Sequence, residues 1–392
     1  MAPVPRPAAW EPDLARRVLL VIGQLQQGGA EGQLAALALG LPRSRYEPAV
    51  ACLSEVDEPH GSRLRASGVR VDVFPRRTHA DPARVVGLAR LMGRCQADLI
   101  HSFLVGANVY AYAASRLAGR SRFIASSRTS MEIRGRAARR LHSWVFRHAS
   151  AVIANSAAVA DFTADYYGVA RGRIRVVPNG VRLEAAGERE MREGLRREMG
   201  IPTGILLVGT LGRLSVEKNL PLLLKVAKKI TGEFPNVRFV IAGDGPARAS
   251  LEEAIRRDGL TGRVHLAGAR ADVPAFLSAL DLFVLTSDTE GLPNAVMEAM
   301  GSALPVVATR VGGTHEVVQE GETGRLAPPG DAEALSRVLA DLLGDEGARR
   351  RMGEAGRLRI AERFTMERMI ENTCRVYDDI LGGGVMAAGS RP

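Results

Sequence analysis

Two glutamates eight positions apart, Glu290 and Glu298, lie in a stretch whose residue types suit binding of a polar or anionic ligand. In the stretch TSDTEGLPNAVMEAMGSALPVVATRVGG (286–313), a strand-like run ends at Ser287 and Glu290 lies in the following loop. Pro293 favours the first position of a helix. Backbone amides at the start of a helix donate readily to a phosphate or to sugar hydroxyls. The two carboxylates can accept hydrogen bonds from hydroxyls of two different rings, although an ordinary surface loop before a helix also contains glutamates.

A second candidate is the segment LGRLSVEKN (211–219), which directly follows another apolar run. Arg213 offers a planar fork of donors and Lys218 a compact charge, and both suit a phosphate. Such residues near a helix start commonly serve solubility. Lys218 is, however, one of only four lysines in the chain, so this position departs from the arginine-rich background.

A glycine pair, Gly28 and Gly29, lies in GQLQQGGAEGQL (23–34) after the first apolar run. Glycines permit a tight turn and the close approach of a ligand to the backbone. The spacing matches neither a P-loop, because Gly29 occupies the position of the lysine, nor the dinucleotide-binding pattern G-x-G-x-x-G. A simple turn accounts for the pair equally well.

The elements that must position these residues alternate between short apolar strands and helix-length segments, as in parallel sheets built from βαβ units. The predicted strands are 17–23, 46–53, 69–74, 98–103, 122–127, 151–156, 174–179, 204–212, 237–243, 264–268, 282–287 and 305–311. The predicted helices include 219–231, 247–257, 294–301, 331–343 and 362–381. This order predicts two doubly wound α/β units in series.

The predicted domain organisation consists of two domains and three shorter segments. Pro-Asn-Gly at 178–180 indicates a hinge between the domains over the segment 179–190. Ligands bind at the carboxyl ends of strands in open α/β sheets, so two facing sheets predict one shared cleft. From the N-terminus, these five parts are a tail 1–13, a first domain 14–180, a second domain 181–363, a terminal helix 364–381 and a tail 382–392.

Composition fits a protein of this kind. The chain has 392 residues, 46% hydrophobic and 24% charged, as expected for a globular protein of two domains. The apolar run Val18–Ile22 is too short for a membrane span or a signal peptide. Three scattered cysteines, Cys52, Cys95 and Cys374, form neither a disulfide framework nor a zinc pattern. These features predict a cytoplasmic location.

Charge is distributed unevenly along the chain, whose net charge is +10. Residues 1–185 contain 26 Lys and Arg against 14 Asp and Glu, and the remainder contains 27 against 29. The segment RGRAARRLHSWVFRHAS (134–150) reads as a basic amphipathic helix with Leu141, Trp144, Val145 and Phe146 on its apolar side. Packing on the core with a solvated basic face explains this segment, and docking on an anionic membrane is the alternative. We predict no nucleic-acid partner.

The stretch 286–313 resembles the E-x7-E signature of retaining glycosyltransferases of family 4, also called group 1, which have the GT-B fold. This resemblance implies an α/β protein of two facing Rossmann-like domains, with an interdomain cleft and a C-terminal helix that crosses back to the N-terminal domain. It implies that Glu298 holds the ribose of the nucleotide. It also implies that Glu290, with the backbone of Gly291, Leu292, Pro293, Asn294 and Ala295, holds the donor sugar.

The same resemblance assigns the remaining candidates. Arg213 and Lys218 match the residues that neutralise the donor diphosphate in this family, and Gly28 and Gly29 match a lip of the first domain that closes on it. His101, at the end of the strand DLIH, matches a histidine near the sugar, and with Arg213, Lys218 and Glu290 it is a candidate catalytic residue. Further positions match backbone groups near the nucleotide: Gly243, Gly268 and Arg270.

Residues that would bind a metal are missing from the sequence. No two aspartates are separated by a single residue, so a D-x-D motif is lacking, and no Cys/His set is clustered. We therefore expect no cofactor and no metal, with the diphosphate charge met by cationic side chains and amides. The predicted function is retaining transfer of a hexosyl unit from a nucleotide diphosphate sugar, and the alternatives are a nucleotide-sugar epimerase and a non-catalytic partner subunit.

Overall fold

The computed structural model describes residues 15–76, 81–120, 122–183 and 189–382. Within these ranges the chain forms two parallel β-sheets flanked by helices, which confirms the predicted α/β class. The first sheet takes its strands from residues 16–176 and the second from residues 206–327. The predicted tail 1–13, nearly all of the tail 382–392 and part of the hinge 179–190 lie outside the described residues.

The first sheet has the strand order β3-β2-β1-β4-β5-β6-β7, which is the order of a doubly wound fold. Its strands are β1 (Arg16–Ile22), β2 (Tyr46–Cys52), β3 (Arg70–Val73), β4 (Leu99–Ser102), β5 (Phe123–Ser127), β6 (Ala151–Ala154) and β7 (Ile174–Val176). The intervening helices are α1 (Gly29–Gly40), α2 (His60–Ala66), α3 (Pro82–Arg94), α4 (Val105–Leu117), α5 (Arg136–His148) and α6 (Ala157–Tyr167).

The second sheet has the order β10-β9-β8-β11-β12-β13. Its strands are β8 (Leu206–Leu211), β9 (Val237–Ala242), β10 (Val264–Gly268), β11 (Leu282–Leu285), β12 (Val306–Thr309) and β13 (Gly324–Ala327). The helices of this half are α7 (Arg189–Glu198), α8 (Leu220–Glu233), α9 (Arg248–Arg257), α10 (Val273–Ser278), α11 (Asn294–Gly301), α12 (Thr314–Val317), α13 (Ala332–Gly344), α14 (Glu346–Arg363) and α15 (Met366–Leu381).

Continuous apolar runs produce the central strands because both faces of each sheet are covered by helices. In β11, Leu282 and Val284 belong to one buried cluster while Phe283 and Leu285 belong to another, as the alternation of a strand requires. Helix starts are defined by short polar residues that accept from the first turn; the side chains of Asp81, Ser156, Asn219, Asp331 and Asp345 cap α3, α6, α8, α13 and α14.

The chain divides by compactness into two units. The first comprises residues 1–126, 144–152 and 373–392, and the second comprises 127–143 and 153–372. The end of α15 therefore belongs to the first unit, where the hydroxyl of Tyr377 lies 2.6 Å from Nδ1 of His101. This confirms the predicted return of the terminal helix. The predicted boundary at residue 180 follows the two sheets, whereas the division by compactness falls within the first sheet.

The strand β13 and the long helix α14 of the second half are not among the predicted ranges. The strand β13 has only four residues and follows a polar turn, so its sequence carries little pattern. The helix α14 buries only Gly353, Gly356 and Ile360, and its remaining positions are mostly charged. Because a periodic apolar stripe is the main signal for a helix, α14 was missed.

Candidate functional site

Three loops at the carboxyl edge of the second sheet are joined backbone to backbone. The amide of Gly212, after β8, donates to Ala242 O at 3.0 Å, and the amide of Leu214 donates to Asp244 O at 2.9 Å. The amide of Gly243, after β9, donates to Gly268 O at 2.7 Å. A Cβ atom at Gly243 would lie 1.9 Å from the carbonyl oxygen of Gly212. Glycine is therefore required where these loops cross, which explains one of the predicted site glycines.

We expect Gly243→Ala to lower the free energy of unfolding by about 3 kcal/mol or more, because the new methyl group meets the backbone and the residue keeps a positive φ. The φ of Gly243 is 140°. Gly232→Ala is the matched control, since a Cβ there meets nothing within 4 Å. The control should stabilise α8 by up to about 1 kcal/mol. Denaturant unfolding checks both, and equal effects of the two substitutions would contradict the packing described.

The structure brings Lys218 and Glu290 together, although they are 72 residues apart. Lys218 Nζ lies 2.7 Å from Glu290 Oε1, and the hydroxyl of Ser287 donates to the same oxygen at 2.7 Å. The hydroxyl of Thr286 donates to the carbonyl of Lys218 at 2.9 Å. The side chains of Lys218 and Glu290 are 25% and 10% exposed, so the pair is largely shielded from solvent but still accessible. The loops after β8 and β11 thus form one polar site.

Neighbouring contacts define the shape of the loop after β8. The amide of Asp288 donates to Glu217 O at 2.9 Å, and the hydroxyl of Ser215 donates to Glu217 Oε1 at 2.6 Å. Partial burial raises the pKa of the Glu217 carboxyl, but the hydrogen bond from Ser215, a backbone hydrogen bond and the charges of Lys218 and Arg213 outweigh burial and lower it overall. Glu217 is therefore an anion in the loop that also carries Arg213 and Lys218.

Arg213 is the second cation of this edge. Its side chain is exposed, and no residue in the described ranges forms a hydrogen bond or ion pair with its guanidinium. Arg213 and Lys218 line one small pocket together with Thr210, Gly212 and Thr286. The pocket therefore presents an unneutralised guanidinium beside an ammonium, an arrangement that favours a multiply charged anion.

Helix α11 carries the second glutamate of the predicted signature. The helix begins at Asn294, and Pro293 is the residue before it instead of the predicted first helical residue, because its ψ of 103° is extended. The side chain of Pro293, which holds the N-cap position, accepts no hydrogen bond from the first turn. The positive end of the helix, at Asn294 and Ala295, therefore lies directly after the loop that contains Glu290.

Glu298 occupies the second turn of α11 and is partly buried. Burial raises the pKa of its carboxyl to about 7, because desolvation disfavours the charged form. Among the described residues, none donates a hydrogen bond to this carboxylate or pairs with it. A desolvated carboxyl without a partner is the expected state of a group that meets its hydrogen-bond donors on a ligand.

The loop after β10 contains the two remaining predicted positions of the second unit. Gly268 has a φ of 70°, and its carbonyl accepts from Gly243. The guanidinium of Arg270 pairs with Asp272 at 2.6 Å and with Glu198 at 3.0 Å. These bonds raise the pKa of Arg270. The guanidinium of Arg270 is thus engaged in ion pairs within the protein. The predicted nucleotide contact through the backbone of this loop stays a prediction.

In the first unit, the predicted glycine pair starts α1. Gly28 precedes the helix with a φ of −169°, so it is extended, and Gly29 is the first helical residue. A Cβ atom at Gly28 would lie 2.3 Å from Oε2 of Glu31, a buried carboxyl that also accepts from Gln24 at 3.3 Å. Residues 26–28 bend ahead of the helix, and the missing side chain of Gly28 leaves room for the carboxyl of Glu31. Diphosphate binding by these glycines stays a prediction.

His101 lies at the end of β4, as predicted, but its side chain is only 1% exposed. Its Nδ1 atom lies 2.6 Å from the hydroxyl of Tyr377, and its Nε2 atom lies 2.8 Å from that of Ser126. Both ring nitrogens are therefore engaged within the first unit. The catalytic role proposed for His101 stays a prediction, and the observed contacts account for the histidine without it.

Comparison with known proteins identifies the family. The model of glycosyl transferases group 1 matches residues 191–359, and the model of glycosyltransferase family 4 matches residues 27–185. The first range contains the loops after β8 and β11 and helix α11. The chain belongs to the group 1 glycosyltransferases.

Two curated group 1 glycosyltransferases are similar over part of their length. The lipopolysaccharide core biosynthesis glycosyltransferase LpsE of Rhizobium meliloti is 29% identical over 57% of this chain and 62% of its own. The 2-deoxystreptamine glucosyltransferase of Streptomyces kanamyceticus is 30% identical over 61% of this chain and 63% of its own. The matched region thus spans less than two thirds of either relative.

A solved structure shows the same fold over almost the whole chain. HepE of Anabaena, crystallised with UDP-glucose, superposes with a TM-score of 0.83 at 24% sequence identity. The superposition covers 93% of this chain and 99% of HepE. The chain therefore has the two-domain GT-B fold.

Several polar residues of this group 1 glycosyltransferase were missed from the sequence. Ser287 and Thr286, which hold Glu290 and Lys218, belong to the quoted stretch but were not singled out. The sequence signal that could have identified them is a pair of hydroxyl side chains directly after a buried strand. Asn179 was interpreted as part of a hinge, yet its side chain contacts Asn294 at 2.7 Å.

The basic helix α5 agrees only in part with its predicted apolar face. Val145 and Phe146 are each 1% exposed and pack inward, whereas Leu141 and Trp144 are 47% and 45% exposed. No helix in the described ranges is long and apolar enough to cross a membrane. Within the same ranges, no group of three or more His, Cys, Asp or Glu side chains can hold a metal ion, and metal independence stays a prediction.

Proposed function

We propose that this chain is a metal-independent, retaining glycosyltransferase that moves a hexosyl unit from a nucleotide diphosphate sugar to an acceptor hydroxyl. The acceptor is a glycan, a lipid-linked saccharide or a small molecule. One observation carries the proposal. Lys218 Nζ lies 2.7 Å from Glu290 Oε1, and Lys218 and Arg213 line the same pocket. Two cations and a carboxylate in one place suit a ligand with a diphosphate and a sugar.

The diphosphate would lie against Arg213 and Lys218. The guanidinium of Arg213 has no partner among the described residues, and Lys218 shares its charge with one carboxylate only. As the bond to the sugar breaks, negative charge grows on the departing phosphate oxygen. Cations already held in place stabilise that charge without reorganisation, which is the largest catalytic contribution in many enzymes.

The donor sugar and the ribose would meet the two glutamates. Glu290, oriented by Ser287 and Lys218, would accept from sugar hydroxyls, and the uncapped start of α11 would donate to the sugar or phosphate. Glu298, one turn further along the helix, would accept from the ribose hydroxyls. Its raised pKa supports this role, because desolvation raises the pKa and none of the described residues donates to the carboxyl.

The chemical step forms one bond and breaks one. The acceptor oxygen bonds to the anomeric carbon on the face from which the diphosphate departs, so the configuration is retained. The electron pair of the broken bond goes to the leaving phosphate oxygen. An oxygen of the same phosphate takes the proton of the acceptor hydroxyl, and no protein nucleophile is required. No residue of the described ranges is assigned as a base.

The comparisons suggest which substrates to test first. HepE of Anabaena was crystallised with UDP-glucose, so UDP and UDP-glucose are the first donor probes. LpsE is named for the lipopolysaccharide core and the Streptomyces enzyme for 2-deoxystreptamine, which supports both saccharide and small-molecule acceptors.

The proposal is tested with a panel of nucleotide sugars. Thermal-shift measurements identify the donor, and NMR of the product reports its anomeric configuration. An α-linked product from an α-linked donor supports retention, whereas an inverted product contradicts it. A changed sugar nucleotide without any acceptor identifies an epimerase. Donor binding without hydrolysis or transfer, with every acceptor tested, favours a non-catalytic partner subunit.

We further propose that helix α5 places the enzyme on the anionic cytoplasmic face of a membrane, where lipid-linked acceptors occur. Leu141 and Trp144 are about half exposed, and Arg140 and Arg147 flank them on the same helix. Aromatic and aliphatic side chains enter the lipid interface while arginines meet acidic head groups. One edge of Trp144 packs on Tyr112, with ring centroids 5.0 Å apart, yet Trp144 stays 45% exposed and Leu141 47% exposed, and this exposed apolar surface supports the contact.

We expect Arg140→Glu/Arg147→Glu to lower partitioning onto phosphatidylcholine vesicles containing phosphatidylglycerol by about 30-fold, because each arginine near such a surface contributes about 1 kcal/mol. Co-sedimentation measures the partitioning, and vesicles of phosphatidylcholine alone provide the baseline. The matched control is Arg256→Glu/Arg337→Glu, which changes the same charge at exposed positions of α9 and α13. Equal losses in the two double variants would indicate net charge alone and contradict docking through α5.

A further inference from the structure

A chain of partly or fully buried hydrogen bonds reaches the start of α11 from the loop after β5. Arg128 Nη1 donates to Asn179 Oδ1 at 2.8 Å. Asn179 Nδ2 donates to Asn294 Oδ1 at 2.7 Å and to the carbonyl of Leu292 at 3.4 Å. Asn179 is only 5% exposed, so water replaces these bonds poorly. One amide side chain therefore links Arg128 to the segment 291–294.

The other side of the segment is held by the backbone of Gly291. Its carbonyl accepts from the hydroxyl of Ser156 at 3.0 Å and from the amide of Gly313 at 2.9 Å. A Cβ atom at position 291 would lie 2.1 Å from the carbonyl oxygen of Arg128 and 2.9 Å from Nδ2 of Asn155. The segment 291–294 is thus fitted closely between fixed neighbours.

The contact with Ser156 is itself reinforced. Glu316 accepts from the amides of Ala157 and Ala158, each at 2.8 Å, at the start of helix α6. A carboxylate at the positive end of a helix is held by charge as well as by hydrogen bonds. Ser156, the cap of this helix, therefore presents its hydroxyl to Gly291 from a rigid support.

Asparagine is chemically suited to position 179. Its amide supplies an acceptor for Arg128 and a donor for the segment 291–294 at once, which no aliphatic or carboxylate side chain does. Loss of either bond leaves a buried polar group unsatisfied. The geometry of the segment therefore depends on both halves of the amide.

We infer that Asn179, oriented by Arg128, is a positioning residue that holds the segment 291–294 where the donor sugar binds. This inference rests on the proposed function, because that function assigns the segment to the sugar. Asn179 acts through Asn294 and Leu292. A displacement of about 1 Å in a reacting group lowers the rate by about 100-fold, so a loosened segment affects transfer strongly.

The test compares Asn179→Leu, Asn179→Asp and Arg128→Met in the full-length chain. Asn179→Leu removes both bonds, and we expect it to lower kcat/KM with UDP-glucose by about 100-fold. Asn179→Asp retains the acceptor for Arg128 and with it the local fold, but it lacks the donor and should lose at least about tenfold. Arg128→Lys keeps a donor for Asn179 and should retain more activity than Arg128→Met.

A second measurement separates positioning from a general loss of structure. UDP lacks the sugar, so the affinity for UDP should stay within about twofold of the unsubstituted protein in every variant. The additional affinity for a non-transferable UDP-glucose analogue should fall in Asn179→Leu and Asn179→Asp. Asn236→Leu, at an exposed turn before β9, is the matched control and should change neither quantity.

The two effects of Asn179 and Arg128 should also be coupled. If Arg128 acts only through Asn179, the double variant Arg128→Met/Asn179→Leu loses no more kcat/KM than Asn179→Leu alone. Multiplied losses, or variants with normal transfer while the unsubstituted protein is active, overturn this inference and leave the proposed function intact. If the unsubstituted protein neither binds nor turns over any nucleotide sugar, the proposed function fails and this inference fails with it.

Discussion

Lys218→Ala should lower donor turnover by about 10²–10⁴, because the variant lacks a cation aimed at the departing diphosphate. The ammonium of Lys218 lies 2.7 Å from Glu290, whose side chain is only 10% exposed. Its removal leaves that carboxylate without its cation beside a multiply charged ligand. The substitution thus both deletes an attraction and exposes a repulsion, so the loss should exceed that of an ordinary surface lysine.

Steady-state kinetics with UDP-glucose measures this effect, and Lys225→Ala is the matched control. Lys225 is exposed on α8, seven residues from Lys218, and its replacement should leave kcat/KM within about twofold. Unfolding curves of both variants establish that the fold is retained. Near-normal turnover in Lys218→Ala would remove the role assigned to this lysine and the argument for diphosphate binding at this edge.

Glu298→Gln should weaken the binding of UDP and yet stabilise the protein, with opposite dependence on pH. Ribose hydroxyls donate most strongly to a charged carboxylate, so we expect affinity at pH 8 to fall by about 10–100-fold in the variant. The native pKa of about 7 means that the carboxyl of the free protein is largely protonated at pH 6. UDP binding to the unsubstituted protein should therefore strengthen as pH rises through 7, and the variant should lack this rise.

Whereas Glu298→Gln should weaken UDP binding, it should raise the free energy of unfolding above pH 7. The carboxyl titrates near 7 in the native protein against the ordinary value of 4.5, so the native state holds its proton more tightly than the unfolded state. Between these two values folding takes up a proton, and stability falls as pH rises towards 7. The neutral glutamine escapes this loss, so Glu298→Gln should be more stable at pH 8 by up to about 3 kcal/mol and nearly equal at pH 4.

Calorimetric titration with UDP at pH 6 and pH 8, and urea unfolding over pH 4–8, measure the two effects. Glu253→Gln, at an exposed position of α9, is the matched control and should alter neither. An unchanged affinity at pH 8 would count against a ribose contact. A stability difference that is the same at every pH would show that Glu298 is not desolvated in the native state. Together the two results separate a binding residue from a merely buried one.

The order of elements was accessible from sequence because both sheets are covered on their two faces. Such strands read as continuous apolar runs, and predicted strands such as 17–23 and 237–243 agree within a residue with β1 and β9. The E-x7-E stretch and the pair Arg213 and Lys218 were recognisable for a different reason. Their chemistry is local, since each candidate follows a strand end where parallel sheets bind ligands.

Contacts between residues distant along the chain were not accessible in this way. The partners of His101 lie 25 and 276 residues away, and they turn a candidate catalytic histidine into a buried residue with both nitrogens engaged. The carboxyl of Glu31 occupies the space beside Gly28, which a glycine pair alone does not reveal. The sequence indicates Asn179 only as a hinge residue, whereas the fold joins its side chain to Arg128 and Asn294.

The amino-acid sequence by itself determined the α/β class and the family, and it predicted which residues would bind a diphosphate and two sugar rings. The apolar pattern of the strands and the residue types of the loops can be recognised from nearby residues alone, without knowledge of tertiary contacts. Only the tertiary structure decided that Lys218 pairs with Glu290, that Glu298 lacks a partner among the described residues, and that Asn179 supports the segment 291–294. Hydrogen bonds and desolvation depend on which groups are brought together, and that is set by packing between distant segments.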